Sequence, residues 1–282
     1  MKPVVKIGCS AVLSAEPDEA IHGRHIAQAV ALAVEQANAQ NSLPFTVALV
    51  VDDDQARPEA AVAVARRFIA DPALLGVVGT MNSHTSLATA PLYSAANLTQ
   101  ISPAASNPSL SQQGFHTFFR LVPPDLQQGR AAAGYAVQVL GAQRVAVIHD
   151  GGAFGQPLAE IFAETAVALG AQLVCECQIE SGQVTFAGTA AEVVAAGPDL
   201  IFMGVIEAEG RHLARQLRQA GVTAPYFGTD GLKPSLFLAT PDYPVSGPYH
   251  TSAATDVFRQ PSAAAFAAAY RERYGELYSI YT

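Results

Sequence analysis

The chain has 282 residues, half of them hydrophobic and 14% charged, with a formal net charge of −8 at pH 7. That length can bury two cores, and the composition argues against a disordered tail. No Lys/Arg cluster exists to grip phosphates, so a nucleic-acid partner is not expected. No apolar run approaches the ~20 residues that span a bilayer. Three cysteines do not make a disulfide framework.

In chain order, Val4–Ala11 reads as the first strand, with Cys9 a structural residue inside it. Lys6 interrupts the short apolar run at the start, so no convincing export segment is read there. The expectation is either a trimmed signal or a chain that stays inside the cell. A polar turn, residues 14–23, leads to a helix from about Arg24 to Gln40, striped by Ile26, Val30, Ala33, Val34 and Ala37. Phe45–Val51 is the second strand and ends in Asp52-Asp53-Asp54, which lack EF-hand spacing and are not read as a metal site. Pro58 opens a helix, Glu59–Ala70, at a favoured first-turn position.

The stretch Gly76–Pro108 organises the first half. Strand Gly76–Val78 runs into Thr80-Met81-Asn82-Ser83-His84-Thr85-Ser86, then a helix over Leu87–Ala96. Strand Thr99–Ser102 runs into Pro103-Ala104-Ala105-Ser106-Asn107-Pro108. In a parallel sheet both turns lie at carboxyl ends of strands, where open α/β sheets bind ligands. Helix N-termini there suit a carboxylate or phosphate. The alternative is plain N-capping by Ser83 or Thr85.

Thr117–Leu121 is a further strand, and Pro123-Pro124 reads as a stiff boundary. The second half repeats the alternation: helix Leu126–Leu140, strand Arg144–His149, helix Gln156–Leu169, strand Gln172–Gln178, helix Phe186–Ala196, strand Leu200–Gly204, helix Ala208–Ala220 and strand Tyr226–Gly228. Arg211, Arg215 and Arg218 read as a solvated helix face. Cys175 and Cys177 point to one face of a strand as ordinary core or edge residues. C-x-C without further Cys or nearby His is a poor metal signal. Asp150–Gly155 is a glycine-rich turn but not G-x-G-x-x-G, so no dinucleotide fingerprint is present. Residues 248–253 read as the crossing back, followed by a helix over Ala264–Tyr274. Repeated βα units in two halves predict two parallel α/β domains.

GTMNSHTS followed by ISPAASNP resembles the type I periplasmic solute-binding proteins of ABC transporters, specifically the leucine/isoleucine/valine-binding family. AVALAVEQANAQ, AAVAVARRFI, the Asp150–Gly155 turn and the Phe266–Gly275 segment resemble the same family, so the likeness covers essentially the whole chain. It implies an α/β fold of two Rossmann-like lobes with parallel sheets and a hinge, the ligand lying in the interlobe cleft. The lobes are expected over 1–121 plus 250–282 and over 122–249, the second boundary resting on Gly247-Pro248. Family members continue past this chain's end, so Tyr278–Thr282 reads as an early stop. A disulfide often found in relatives is expected to be absent, because Gln55 or Ala56 and Asn82 stand in its places.

By that resemblance, Ser83 and the backbone N–H groups of Ala105-Ser106 serve a ligand carboxylate. Asp230, the Ser106 hydroxyl and the Ala104 carbonyl serve an ammonium. Asp230 also has a bland reading as an Asx-turn residue before Gly231. His22, His84, Phe154 and Ile206 or Glu207 are the side-chain pocket candidates, with Phe154 a cover and His84 either exposed or in contact. The two histidines favour a polar or acidic ligand side chain. No catalytic residue, cofactor or metal is expected. Ser83, His149 and Asp150 invite a triad, but Ser83 lies in no G-x-S-x-G elbow, so hydrolysis is disfavoured.

The implied function is the periplasmic or extracellular binding component of an ABC importer. It would capture a free amino acid and deliver it to the permease subunits. The alternative is a cytoplasmic or sensor-domain regulator of the same fold that recognises an amide, a urea or an aromatic acid.

Overall fold

A computed structural model describes residues 2–15, 17–232, 249–254, 260–275 and 281. The chain divides into two compact units, Met1–Val122 with Ala254–Thr282, and Pro123–Ala253. The expected boundary at Gly247-Pro248 and the residues 278–280 lie outside the described residues.

The first unit holds a five-stranded parallel sheet in the order β2-β1-β3-β4-β5. Its strands are β1 (Val4–Ala11), β2 (Thr46–Asp53), β3 (Leu74–Val78), β4 (Thr99–Ser102) and β5 (Phe118–Arg120). Its helices are α1 (Pro17–Ala39), α2 (Pro58–Ile69), α3 (Ser83–Ala95) and the short α4 (Ser109–Gln112). Val64, Ala65 and Phe68 of α2 meet Leu74, Val77 and Tyr93 in one core cluster. Leu32 of α1 packs with Tyr270 from the late helix Ala264–Tyr274.

The second unit repeats the plan, with the order β10-β9-β8-β6-β7, again parallel throughout. It contains α5 (Asp125–Gly134, continued by a π turn over Tyr135–Val139), β6 (Arg144–His149), α6 (Gly155–Ala168), β7 (Gln172–Gln178), α7 (Ala187–Ala196), β8 (Leu200–Gly204), α8 (Glu207–Gln219), β9 (Tyr226–Gly228) and β10 (Tyr249–His250). The late helix is α9. Counted within each unit, both sheets have the strand order 2-1-3-4-5, so their chain directions switch between β1 and β3 and between β6 and β8. Crevices at the carboxyl ends of such strands are where doubly wound sheets hold ligands.

Why β6 and β8 are strands is plain from their alternation. Val145 and Val147 with Leu200 and Phe202 enter one core, and Ala146 and Ile148 with Ile201 and Met203 enter the other. Both faces are covered, so β8 is apolar along its length and β6 is apolar between Arg144 and His149.

Three expectations change. Helix α1 begins at Pro17, seven residues earlier than read, so His22 and Gly23 are helical and not in a turn before the helix. Pro-Asp-Glu is a sequence that favours a helix N-terminus. Helix α3 begins at Ser83, although the Ser/Thr run before Leu87 was read as turn. Tyr249–His250, read as part of the crossing back, pairs with β9 as an edge strand.

Phe162 shows how tightly the second core is built. It is fully buried and stacks on Phe202 with ring centroids 4.1 Å apart. Phe162→Ala should cost roughly 3–5 kcal/mol, as large-to-small core changes do. Urea unfolding measures this, and a loss under about 1 kcal/mol would show that the core collapses around the gap.

Candidate functional site

The first unit's rim is assembled by polar side chains under it. Gln100 on β4 sends its Nε2 to the Gly79 carbonyl at 3.0 Å and to Thr89 Oγ1 at 3.2 Å. Ser102 Oγ donates to the Thr80 carbonyl at 2.6 Å and accepts the Ala105 N–H at 2.9 Å. Thr80 Oγ1 and Ser86 Oγ lie 2.7 Å apart. All these side chains are buried. Buried polar groups are tolerated when paired, and these pair with one another and with backbone groups; Gln100 Oε1 is without a hydrogen-bond partner among the described residues. They join the turn after β3 to the turn after β4. Gly79 is required there: at φ +119° a Cβ would lie 2.1 Å from the Ser10 carbonyl oxygen.

Ser83 is the first residue of α3, and its Oγ accepts the Asn107 N–H at 3.3 Å, joining the same two turns. The N-capping alternative is not what the structure uses: Asn82 is the N-cap residue, and Thr85 Oγ1 donates back to its carbonyl. Ala104 packs against Val12, Ile26 and Met81. Ala105 is buried, and its N–H is already held by Ser102. That corrects the expectation that this N–H serves a ligand. Ser106 is 1% exposed, and its Oγ has no hydrogen-bond partner among the described residues.

His84 is half-buried, and its Nε2 lies 2.7 Å from the Ala56 carbonyl oxygen. It ties the turn after β2 to the start of α3. All three cysteines are free. His22 on α1 has its ring 6.2 Å from Tyr281, edge to face.

Sequence reading missed Arg120 at the end of β5. Its guanidinium donates to the Ala105 carbonyl at 3.3 Å, to Asn107 at 2.9 Å and to Ser111 Oγ, clamping the second turn from outside. The three aspartates after β2 are all engaged. Asp52 pairs with Arg67, Asp53 accepts the Leu13 and Gln55 N–H groups, and Asp54 accepts Ser10 Oγ at 3.0 Å. Burial raises the pKa of Asp54, although hydrogen bonds from Ala56 and Ser10 pull the other way. Burial, helped by Asp54, pushes the Cys9 thiol up to about 12.

In the second unit, the turn after β9 holds Asp230, 4% exposed. Thr229 Oγ1 accepts the Gly231 N–H at 3.2 Å and donates to the Val205 carbonyl at 3.3 Å. Thr229 thus supplies two of the bonds that shape the turn. The Asp230 N–H donates to Gln128 Oε1 at 3.2 Å, which also accepts Thr251 Oγ1. Gln128 Nε2 reaches Asp125 at 3.4 Å. A Cβ on Gly231 would lie 3.0 Å from Phe154 and 3.5 Å from Ile206. Phe154, Ile206 and the Asp230 turn are thus brought together. Phe154 is half-buried against the core cluster of Leu158 and Phe162. Glu207, the first residue of α8, is buried.

His149 and Asp150 do not form a catalytic pair: His149 Nδ1 accepts the Gly151 N–H, and Asp150 accepts the Gly152 N–H. Of the basic row on α8, Arg218 is not a free solvated charge. It donates to the Val222 and Ala224 carbonyls and lies 4.0 Å over the Tyr226 ring. Among the described residues no helix is long and apolar enough to cross a membrane.

The family model for periplasmic binding proteins matches residues 4–281. An amino acid binding protein of Pseudomonas aeruginosa is 33% identical over 186 residues, which is 66% of this chain and 50% of that protein. A Leu/Ile/Val-binding protein homolog of Brucella abortus is 28% identical over 214 residues, 76% of this chain and 57% of that one. The chain thus spans little more than half the length of these curated relatives. Among solved structures, a leucine binding protein LivK from Thermotoga maritima superposes with a TM-score of 0.85 at 26% identity, covering 98% of this chain and 78% of the other. LivJ from Streptococcus pneumoniae, in complex with isoleucine, gives 0.87 at 23% identity over 99% and 79%, a likeness of fold. These relatives are solute-binding proteins, not enzymes.

Two serines on one turn give a clean contrast. Ser102→Ala leaves the Ala105 N–H unpaired and should cost ~1–3 kcal/mol. Ser106→Ala removes an oxygen without a partner and should stay within about 0.5 kcal/mol. Denaturant unfolding of both variants without ligand checks this, and equal costs would contradict the assignment.

Asp54 gives a pH signature. Because its pKa in the fold lies above the ordinary 3.8, the fold favours the neutral acid. That contribution is complete below the ordinary value and lost as pH rises through the raised one. Asp54→Asn should therefore gain stability relative to the parent as pH climbs above that ordinary value. Thermal unfolding between weakly acid and neutral pH measures it, and a constant difference would refute it.

Proposed function

This chain belongs to the periplasmic binding protein family, and we propose that it is the solute-binding component of an ABC importer for a free amino acid. The observation that carries this reading is Asp230. It is a buried carboxylate on a strand-end turn whose shape is set by Thr229. A carboxylate at such a strand end suits an ammonium, through charge-assisted hydrogen bonds.

In this proposal the ligand carboxylate is received at the first unit's rim, with Ser83 and Ser106 as hydroxyl donors. The Ala104 carbonyl is an acceptor for the ammonium. Phe154 and Ile206, which neighbour the Asp230 turn, select the ligand side chain together with Glu207. The relatives named for amino acid and Leu/Ile/Val binding support this class. Delivery to permease subunits and a periplasmic location belong to the same proposal, as the role of this family's members.

Titration calorimetry with free amino acids and their 2-oxo acids tests it. A single site should bind an amino acid, recovered unchanged, and bind the matching 2-oxo acid weakly. Asp230→Asn should weaken the amino acid roughly ten- to a hundredfold, since hydrogen bonds to charged groups contribute ~1.5–3 kcal/mol. The same change should alter the 2-oxo acid little. Equal losses for both ligands, or preferential binding of an aromatic acid, would overturn the amino-acid assignment.

A further inference from the structure

The sequence holds one pair of cysteines that the binding reading leaves unused. Cys175 and Cys177 lie on β7, the edge strand of the second unit's sheet, where they pair with Ala146 and Ile148. Side chains two residues apart on a strand emerge on the same face about 6.6 Å apart. Here the two thiols lean together until the Sγ atoms are 3.1 Å apart. Glu192 reaches over from α7 and places a carboxylate oxygen 3.6 Å from Cys177 Sγ. The three donor atoms all lie within 4.8 Å of one another.

We propose that Cys175, Cys177 and Glu192 form a site for one divalent thiophilic cation of the zinc class. In a tetrahedral zinc site, metal–sulfur and metal–oxygen bonds of ~2.3 and ~2.1 Å place two sulfurs about 3.8 Å apart and a sulfur and oxygen about 3.6 Å apart. The Cys177–Glu192 separation already matches, and the two sulfurs need to open by less than 1 Å. Thiolates select zinc or cadmium over magnesium or calcium, which take oxygen ligands. A carboxylate as third ligand fits a divalent ion. Uptake releases the two thiol protons to solvent and leaves a coordination position for water or a small exogenous ligand. Cys177 is buried, Cys175 is half-buried and Glu192 is exposed, so an ion can enter from the helix side. Bound there, it would fasten the edge strand to α7. The assignment uses different residues from the amino-acid proposal and stands apart from it.

Cadmium is the probe, added to the reduced chain in chelator-free buffer and followed by sulfur-to-cadmium charge-transfer absorption. The expected result is a band that saturates at one equivalent and is lost in Cys175→Ser. Glu192→Gln should keep the band and weaken binding about tenfold or more, because even groups that only orient a ligand change metal affinity by about 10–100-fold. Cys9→Ala, in the first unit, should leave the band unchanged. Zinc should compete the cadmium away and raise the unfolding temperature of the parent but not of Cys175→Ser. A reduced chain with no saturable band, or a band that survives Cys175→Ser, overturns the proposal.

Discussion

The first unit's rim depends on one buried constraint, the path from Gln100 through Gly79 and Thr80 to Ser102 and Ala105. Two loops that leave neighbouring strands have no reason of their own to keep a fixed distance. Here side chains of β4 hold the backbone of both loops, so moving either leaves a buried donor or acceptor unpaired. Such a loss costs more than a surface hydrogen bond gains. The rim is therefore stiff without contributing apolar area. Arg120 adds a clamp from outside by holding the carbonyls of Ala105 and Asn107.

The second unit solves the same problem with one amide. Gln128 sits on the second turn of α5 and accepts from both the Asp230 N–H and the Thr251 hydroxyl. The helix that opens the unit thus holds the turn after β9 and the residue after β10. Two units with the same strand order arrive at rigid strand ends by different chemistry: hydroxyls and an amide in one, mainly a single amide in the other.

Much of the fold was legible because the strands obey simple rules. Arg144–His149, Gln172–Gln178, Leu200–Gly204 and Tyr226–Gly228 have the bounds that their apolar and β-branched patterns predict. Helix starts were harder. Ser83-His84-Thr85-Ser86 has poor helix propensity and reads as turn. In the fold, Thr85 and Thr89 return their hydroxyls to backbone carbonyls, so the segment is helical despite its composition. At the site, residues at strand ends could be named from position alone. Arg120 and Gln128 could not. Gln128 is 102 residues from Asp230 and 123 from Thr251, and nothing local announces such a pairing. The partner of His84 Nε2, the Ala56 carbonyl, is likewise 28 residues away in sequence.

The hydrogen bonds of Thr229 have an evolutionary consequence. Because the threonine hydroxyl holds the Gly231 N–H and the Val205 carbonyl, a single side-chain oxygen carries two of the bonds of this turn. Drift at Thr229 is therefore the costly kind, since losing the hydroxyl unmakes both bonds at once. Serine is the one replacement that keeps a hydroxyl on the same carbon, so a lineage of this chain has a very narrow choice at the residue before Asp230.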